Sequence, residues 1–131
     1  MKYEPKIGKE IMCPLEYGLT IFGGKWKSRI ICVIAENAVI RYSELRKSLG
    51  NISDAVLASV LKELIADEIV SRRQYAEIPP KVEYALTEKG RSVLPILKSI
   101  CQWSRERTKD TLDKRLPPCK TCGQVSERQL I

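Results

Sequence analysis

Five cysteines and the absence of histidine define the chemistry that this 131-residue sequence could perform. Thiols can bind metals, and they can be oxidised or alkylated when they ionise. Without histidine, the chain lacks the commonest general base and the commonest zinc ligand. It also lacks a phosphate-binding loop, a nucleotide fingerprint and a nucleophile elbow, so we do not expect an enzyme. The odd number of cysteines argues for reduced thiols rather than a disulfide scaffold.

Two of the cysteines, Cys119 and Cys122, have the spacing of a zinc-binding pair. A structural zinc site needs four ligands, and neither a second pair nor a histidine accompanies them. Three interpretations stay open: an irregular tail without chemistry, a redox-active pair, and a metal shared with another chain. We predict an irregular, cysteine-containing tail over residues 113–131, with no cofactor and no metal site.

The balance of charges allows an anionic partner. The 23 Lys and Arg residues outnumber the 16 Asp and Glu residues, which gives a formal net charge of +7. Nucleic acid is the first candidate partner, although a merely basic surface would carry the same charge. No apolar run approaches the roughly 20 residues that span a bilayer, and no signal-peptide core follows the N-terminus. We expect a cytoplasmic protein that does not contact a membrane.

Helices and strands must position any site, and hydrophobic periodicity with capping residues predicts where they lie. The length suits one domain, over 14–112, between an N-terminal arm (1–13) and the tail. The fold class is mainly α with a small β-hairpin. Helices are predicted over 14–22, 26–35, 44–49 (capped by Ser43), 54–67 and 88–112, and extended segments over 39–42, 70–76 and 82–86.

Two of these helices are joined by a turn at Gly50-Asn51, and the hairpin follows at once. This order is typical of a winged helix-turn-helix, in which the second helix enters the DNA major groove. The hairpin, or wing, can then place cations on the flanking phosphates. The outer face of the second helix carries mostly short side chains, which permit close approach to DNA. The candidate DNA-binding residues are Arg41, Ser53, Asp54, Ala55, Ala58, Ser59, Lys62, Arg72, Arg73 and Lys81.

Acidic residues complicate the prediction of a recognition helix. Glu63, Asp67 and Glu68 lie towards its C-terminal end, away from the expected groove contact. Asp54 lies at its N-terminus, where it could accept a hydrogen bond from a cytosine amino group or stabilise the helix dipole. Both roles stay open for Asp54. An alternative function also stays open, namely a winged helix that binds protein rather than DNA.

The last predicted helix is apolar over too wide an arc for a single buried stripe. Pro95 lies within it and should bend it, because proline removes one backbone hydrogen bond. A helix with so wide an apolar surface usually has two partners. We expect the domain core to be one partner and a second subunit to be the other.

Several short segments, weak alone but specific in this order, resemble the HxlR family of bacterial winged-helix regulators over roughly residues 13–110. The resemblance implies a homodimer built from the first and last helices, which binds a pseudo-palindromic double-stranded operator with the segment from Ser53 to Lys62 in the major groove. Asp54 and Val60 replace residues that are often basic in the family, and Glu68 replaces a common glycine, so the resemblance does not fix the target sequence or the strength of binding. The matching segments are Cys13-Pro14-Leu15-Glu16, Gly23-Gly24-Lys25-Trp26, Arg41-Tyr42-Ser43-Glu44-Leu45, Ile52-Ser53, Leu57, Leu61-Lys62-Glu63-Leu64, Val70, Arg73, the stretch 79–90 and Trp103.

The resemblance also implies a role for Cys13, because several members of the family sense oxidants or electrophiles through the thiol before the first helix. A helix N-terminus favours the reactive thiolate. The alternative is a half-buried residue without a signalling role. We expect Cys32 in the core and Cys101 at the dimer interface, and the sequence does not identify a small-molecule effector.

Overall fold

Six helices and three strands occupy residues 12–108, the part of the chain that the structure, a computed structural model, describes. Most of the predicted arm and the whole predicted tail, with Cys119 and Cys122, lie outside the described residues. Within 12–108, no helix is long and apolar enough to span a bilayer. The elements are α1 (Pro14–Phe22), α2 (Gly24–Asn37), β1 (Ile40–Arg41), α3 (Tyr42–Leu49), α4 (Asp54–Ala66), β2 (Val70–Tyr75), β3 (Lys81–Leu86), α5 (Glu88–Arg91) and α6 (Leu94–Thr108).

The core lies between the helices and one face of the sheet. Helix α2 contributes three isoleucines and α4 contributes three leucines that repeat at three- and four-residue spacing, as the sequence predicts for α4. Burying each such side chain stabilises the fold by about 1.5–3 kcal/mol. These contacts fix which face of α4 remains exposed. The six side chains are at most 3% exposed: Ile30, Ile31, Ile34, Leu57, Leu61 and Leu64.

The sheet is antiparallel, with the strand order β1-β3-β2. Strands β2 and β3 form the predicted hairpin, in a register that runs from Val70 opposite Leu86 to Tyr75 opposite Lys81. The short strand β1 pairs with the other edge of β3, where Arg41 lies opposite Glu83. The mainly helical chain with this small sheet is the predicted winged helix-turn-helix fold.

The prediction of one continuous helix over 88–112 was wrong. Thr87 caps α5 as expected, since its hydroxyl accepts a hydrogen bond from the Gly90 N–H at 2.9 Å. Helix α5 then ends, a turn follows, and α6 begins at Leu94. Pro95 is the second residue of α6, where no backbone N–H is needed within the helix. The proline therefore belongs to the start of a helix and does not bend the interior of one.

The start of α3 also differs from the prediction. Ser43 does not cap this helix, because α3 already begins at Tyr42 and Arg41 is the capping residue, without a side-chain hydrogen bond. Arg41 has extended backbone angles and is paired in the sheet. The strand therefore runs directly into the helix, and no residue is left between them for a separate cap.

The turn after α4 requires an unusual backbone conformation. Glu68 has a φ of 61°, in the left-handed region where a side chain costs about 1–2 kcal/mol. The Glu68 carbonyl accepts a hydrogen bond from the Thr87 hydroxyl, so the turn is tied to the end of β3. This conformation gives a physical reason for the glycine that the family resemblance predicts at this position.

Candidate nucleic-acid interface

Helix α4 presents the short side chains that the sequence predicts for its outer face. Ser53 caps the helix, because its Oγ accepts a hydrogen bond from the Val56 N–H at 3.2 Å. Val56 is itself 40% exposed and was missed in the sequence analysis. A capped, uncovered helix N-terminus with short side chains can approach a nucleic-acid groove closely. The predicted residues Asp54, Ala55, Ala58, Ser59 and Lys62 are all exposed.

Asp54 is held by two residues of the preceding helix. Its Oδ1 lies 2.7 Å from the Arg46 Nε and accepts a hydrogen bond from the Tyr42 hydroxyl at 3.2 Å. Burial and this hydrogen bond raise the pKa of Tyr42 above its usual value. The carboxylate therefore joins the N-terminus of α4 to α3. Our list of candidates omitted Arg46, because the sequence alone does not show which side chains meet across the turn.

The other acidic residues near the end of α4 do not lie on its groove face. Glu63 forms an ion pair with Lys27 of α2, with 3.0 Å between the Glu63 Oε2 and the Lys27 Nζ. Asp67 is only 4% exposed. Of the three acids near the end of α4, Glu63 and Asp67 are therefore at least partly buried in the domain, whereas Glu68 is exposed.

Three of the predicted DNA-binding cations lie on one face of the sheet, two of them on the hairpin and Arg41 on β1. Residues that are directly opposite in an antiparallel pair share a face, and Glu83 is opposite both Arg41 and Arg73. The Lys81 Nζ lies 3.9 Å from the Glu83 Oε2 on the same face. The structure thus gathers Arg41, Arg73 and Lys81 around one half-buried carboxylate.

Arg72 lies on the opposite face of the hairpin. It is paired with Tyr84, whose side chain is buried, and its guanidinium donates to the Gln74 side chain at 3.3 Å. The structure therefore does not bring Arg72 together with Arg73 and Lys81. Its predicted contact with DNA stays a prediction.

An aromatic ring contacts two of the clustered cations. The Arg73 Cζ is 5.0 Å and the Lys81 Nζ 4.7 Å from the centre of the Tyr75 ring. Sequence analysis missed Tyr75 as part of the site. The available signal was its position two residues after Arg73 on the same strand, because alternate residues of a strand share a face.

Tyr42 contacts both α4 and the β2–β3 hairpin. Its hydroxyl contacts Asp54 at the start of α4, and its ring centre is 6.5 Å from that of Tyr84 in the wing. Helix α4 and the face of the hairpin that lies away from the cation cluster therefore both contact Tyr42.

The three cysteines of the described region have different surroundings. Cys13 is exposed at the N-cap position of α1, directly before Pro14, and is not half-buried; its role as a sensor stays a prediction. Cys32 was expected in the core but is only partly buried, as is Cys101. Both Cys32 and Cys101 line a cavity of about 490 Å³ between α1, α2, α3 and α6.

Helices α1 and α6 expose large apolar side chains near this cavity. Such residues are normally scattered singly on a soluble surface, whereas a group of them marks an interaction surface. Leu19 and Ile100 belong both to this group and to the lining of the cavity. The exposed side chains, which we call the apolar surface, are Leu15 (69% exposed), Leu19 (50%), Ile96 (48%), Ile100 (48%) and Trp103 (62%).

Comparison with known proteins agrees with this geometry. An uncharacterized HTH-type transcriptional regulator from Halalkalibacterium halodurans is 45% identical over 102 residues, which are 78% of this chain and 90% of that protein. The oxidized form of the redox regulator HypR is 39% identical with a TM-score of 0.66, covering 72% of this chain and 96% of HypR. Reduced YodB from B. subtilis is 35% identical with a TM-score of 0.66, and the match covers 73% of this chain and 94% of YodB. Residues 21–111 match the HxlR-like helix-turn-helix model, so the predicted resemblance is confirmed and the chain belongs to that family.

Proposed function

We propose that this protein is a dimeric transcriptional regulator that binds a pseudo-palindromic DNA site. Helix α4 enters the major groove, and the β2–β3 wing contacts the flanking phosphates. The observation that carries the proposal is that the domain exposes both the capped, small-residue face of α4 and a cation cluster on the sheet, while Tyr42 contacts α4 through Asp54 and β3 through Tyr84. Its relatives are described as HTH-type transcriptional regulators, which favours DNA binding over the alternative of a protein-interaction module.

The charges of the wing suit contact with DNA phosphates rather than base readout. Guanidinium and ammonium groups neutralise phosphates and release counterions, which favours binding to any duplex. Arg41, Arg73 and Lys81 supply three positive charges against the one negative charge of Glu83 on their face of the sheet. The exposed residues of α4 then supply the base contacts, from Ser53 to Lys62.

The second subunit is proposed to cover the apolar surface of α1 and α6. These two helices are the ones that the family resemblance assigns to the dimer. Burying large apolar side chains removes their area from water, which stabilises association. A twofold dimer would present two copies of α4, with half-site centres about 34–36 Å apart along the duplex.

Selection of bound duplexes from a random pool tests the DNA-binding proposal. We expect an inverted repeat with that half-site spacing, and affinity that falls steeply with salt. Arg73→Gln should reduce the slope of log affinity against log salt by about one. Arg105→Gln, which removes the same charge from an exposed position of α6, is the control and should leave the slope unchanged. A random pool without enrichment would contradict the proposal.

Analytical ultracentrifugation tests the dimer independently of DNA. Ile100→Asp places a charge on the apolar surface and should yield monomers at concentrations where the unaltered chain is dimeric. Arg105→Gln, at an exposed position of the same helix, is the control and should stay dimeric. An unaltered chain that sediments as a monomer at every concentration would refute this part of the proposal.

We further propose that Cys13 makes DNA binding sensitive to oxidants or electrophiles. HypR, a similar structure, is titled a redox regulator. Cys13 is exposed at the N-cap position of α1, where peroxide or a quinone can reach its thiol. Modification there would alter α1, and through α1 the proposed dimer, so DNA-competent and DNA-incompetent geometries would exchange.

Peroxide treatment followed by mass spectrometry and duplex binding tests this role. In the unaltered protein and in Cys32→Ser, Cys13 should be modified, and the affinity for DNA should change as this modification proceeds. Cys13→Ser should keep its affinity after the same treatment. An equal response of Cys13→Ser and the unaltered protein would end the proposal for this residue, whatever the outcome of the selection experiment.

A further inference from the structure

We propose that Tyr75 is a positioning residue of the wing, whose ring holds Arg73 and Lys81 side by side for contact with DNA phosphates. The inference rests on the proposed function, because it assigns a role within the same DNA interface. It adds a residue that makes no phosphate contact of its own and acts through the two cations.

The register of the hairpin places the three side chains together. Arg73 and Tyr75 are two residues apart on β2 and therefore share a face, and Lys81 is opposite Tyr75 on β3. The two cationic groups lie 5.0 Å and 4.7 Å from the ring centre. An aromatic face attracts cations within about 6 Å. One ring thus contacts one cation from each strand.

Positioning is useful here because both cations have long, flexible side chains. A side chain that becomes ordered only on binding loses rotamer freedom at that moment, which weakens association. Two cations side by side also repel each other. A ring contacted by both groups, with the Glu83 carboxylate close by, offsets that repulsion before DNA arrives.

Glu83 also lies near the ring. This carboxylate raises the pKa of the Tyr75 hydroxyl above its usual value. The same carboxylate lies 3.9 Å from the Lys81 Nζ. The ring and the carboxylate therefore contact Lys81 from two sides. Loss of the ring should matter more than loss of the hydroxyl, because both cations contact the ring.

Replacement of the ring and of the hydroxyl separates these contributions. We would measure binding of a fluorescent, mixed-sequence duplex by anisotropy, since phosphate contacts do not depend on sequence. Tyr75→Leu should weaken binding about fivefold, as expected for two exposed cation–ring contacts. Tyr75→Phe keeps the ring and should stay within about twofold of the unaltered protein. Thermal unfolding of each variant checks that the half-buried position tolerates the change.

A double-mutant cycle distinguishes positioning from a direct contact with DNA. In a background that carries Arg73→Gln and Lys81→Gln, Tyr75→Leu should have no further effect, because the cations that it positions are gone. The same fivefold loss in that background would overturn the inference and indicate that Tyr75 contacts DNA itself. An unaltered protein that does not bind the duplex would instead overturn the proposed function, and this inference with it.

Discussion

Replacing Asp54 by asparagine should lower the stability of the protein and raise its affinity for DNA. The change keeps the shape of the side chain and an oxygen that can accept from the Tyr42 hydroxyl. It removes the charge that pairs with Arg46 at 2.7 Å. Because Asp54 is the first residue of α4, the same charge also interacts with the helix dipole.

The size of the expected loss of stability follows from how exposed the side chains of Arg46 and Asp54 are. The side chains of Arg46 and Asp54 are 46% and 70% exposed, so the ion pair contributes about 0.2–1 kcal/mol. An acid in the first turn contributes about 0.3–1 kcal/mol through the dipole. Asp54→Asn should therefore cost about 1 kcal/mol in total, or about 4–8 °C in Tm for a domain of this size.

The gain in affinity follows from the release of Arg46. One additional phosphate contact changes the slope of log affinity against log salt by about 0.9. If the variant and the unaltered protein bind equally at 1 M salt, this difference in slope makes the variant bind about eightfold more tightly at 0.1 M salt. Asp54→Asn should show this gain on a mixed-sequence duplex. The gain should vanish when Arg46→Gln is combined with it, since no guanidinium is then released.

Anisotropy titrations over a range of salt, paired with thermal unfolding, measure both effects. The alternative role of Asp54, as an acceptor for a cytosine amino group, makes a different prediction. In that case Asp54→Asn would bind the mixed duplex no better and would lose about 1–3 kcal/mol of discrimination at one base pair of the selected site. That result would refute the assignment of Asp54 as the partner of Arg46.

Three further predictions concern the turns and caps that hold the interface in place, and thermal or denaturant unfolding checks each. Gly90→Ala should destabilise the fold by about 3 kcal/mol, because a Cβ there would lie 2.2 Å from the Ile69 carbonyl oxygen. Gly18→Ala is the control and should not destabilise the fold, because its Cβ would lie 3.8 Å from Phe22. Ser53→Ala should cost about 1 kcal/mol through loss of the hydrogen bond to Val56, whereas Ser59→Ala on the same exposed face should be nearly neutral. Glu68→Gly should stabilise the fold by about 1 kcal/mol, because glycine adopts the left-handed conformation without the cost of a Cβ. Glu68→Ala, which keeps a Cβ at the same φ, should not stabilise the fold. Equal effects of the two changes would show that φ is not the cause.

The recognition helix could be predicted from the sequence because its signals are local. The spacing of Leu57, Leu61 and Leu64 sets the buried face, and Ser53 marks the first turn. Both observations depend on residues within four positions of each other. Thr87 was predicted as a cap for the same reason. Family resemblance supplied what local signals do not, namely the proposed pairing of the first and last helices in a dimer.

The contacts within the interface could not be predicted, because they cross between elements. The pairing of Arg46 with Asp54 depends on the angle between α3 and α4, which no periodicity encodes. Strand alternation puts Arg72 and Arg73 on opposite faces, but which of the two shares a face with the buried Tyr84 depends on the register, and one residue of register reverses it. The close packing of α5 depends on the approach of Gly90 to the backbone of Ile69. Only the packed structure shows that approach.

The acids of the interface suggest how a basic protein could bind one site selectively. In the proposed interface, Arg46 is held by Asp54, and Lys81 lies near Glu83. These carboxylates weaken the attraction to phosphates equally on every duplex, because that attraction is independent of sequence. Base contacts from α4 are gained only at the correct site. Weaker attraction to phosphates on every duplex, with unchanged base contacts at the operator, favours the operator over the rest of the genome. The departure from the family pattern at Asp54 should therefore change the strength and selectivity of binding and leave the fold as it is.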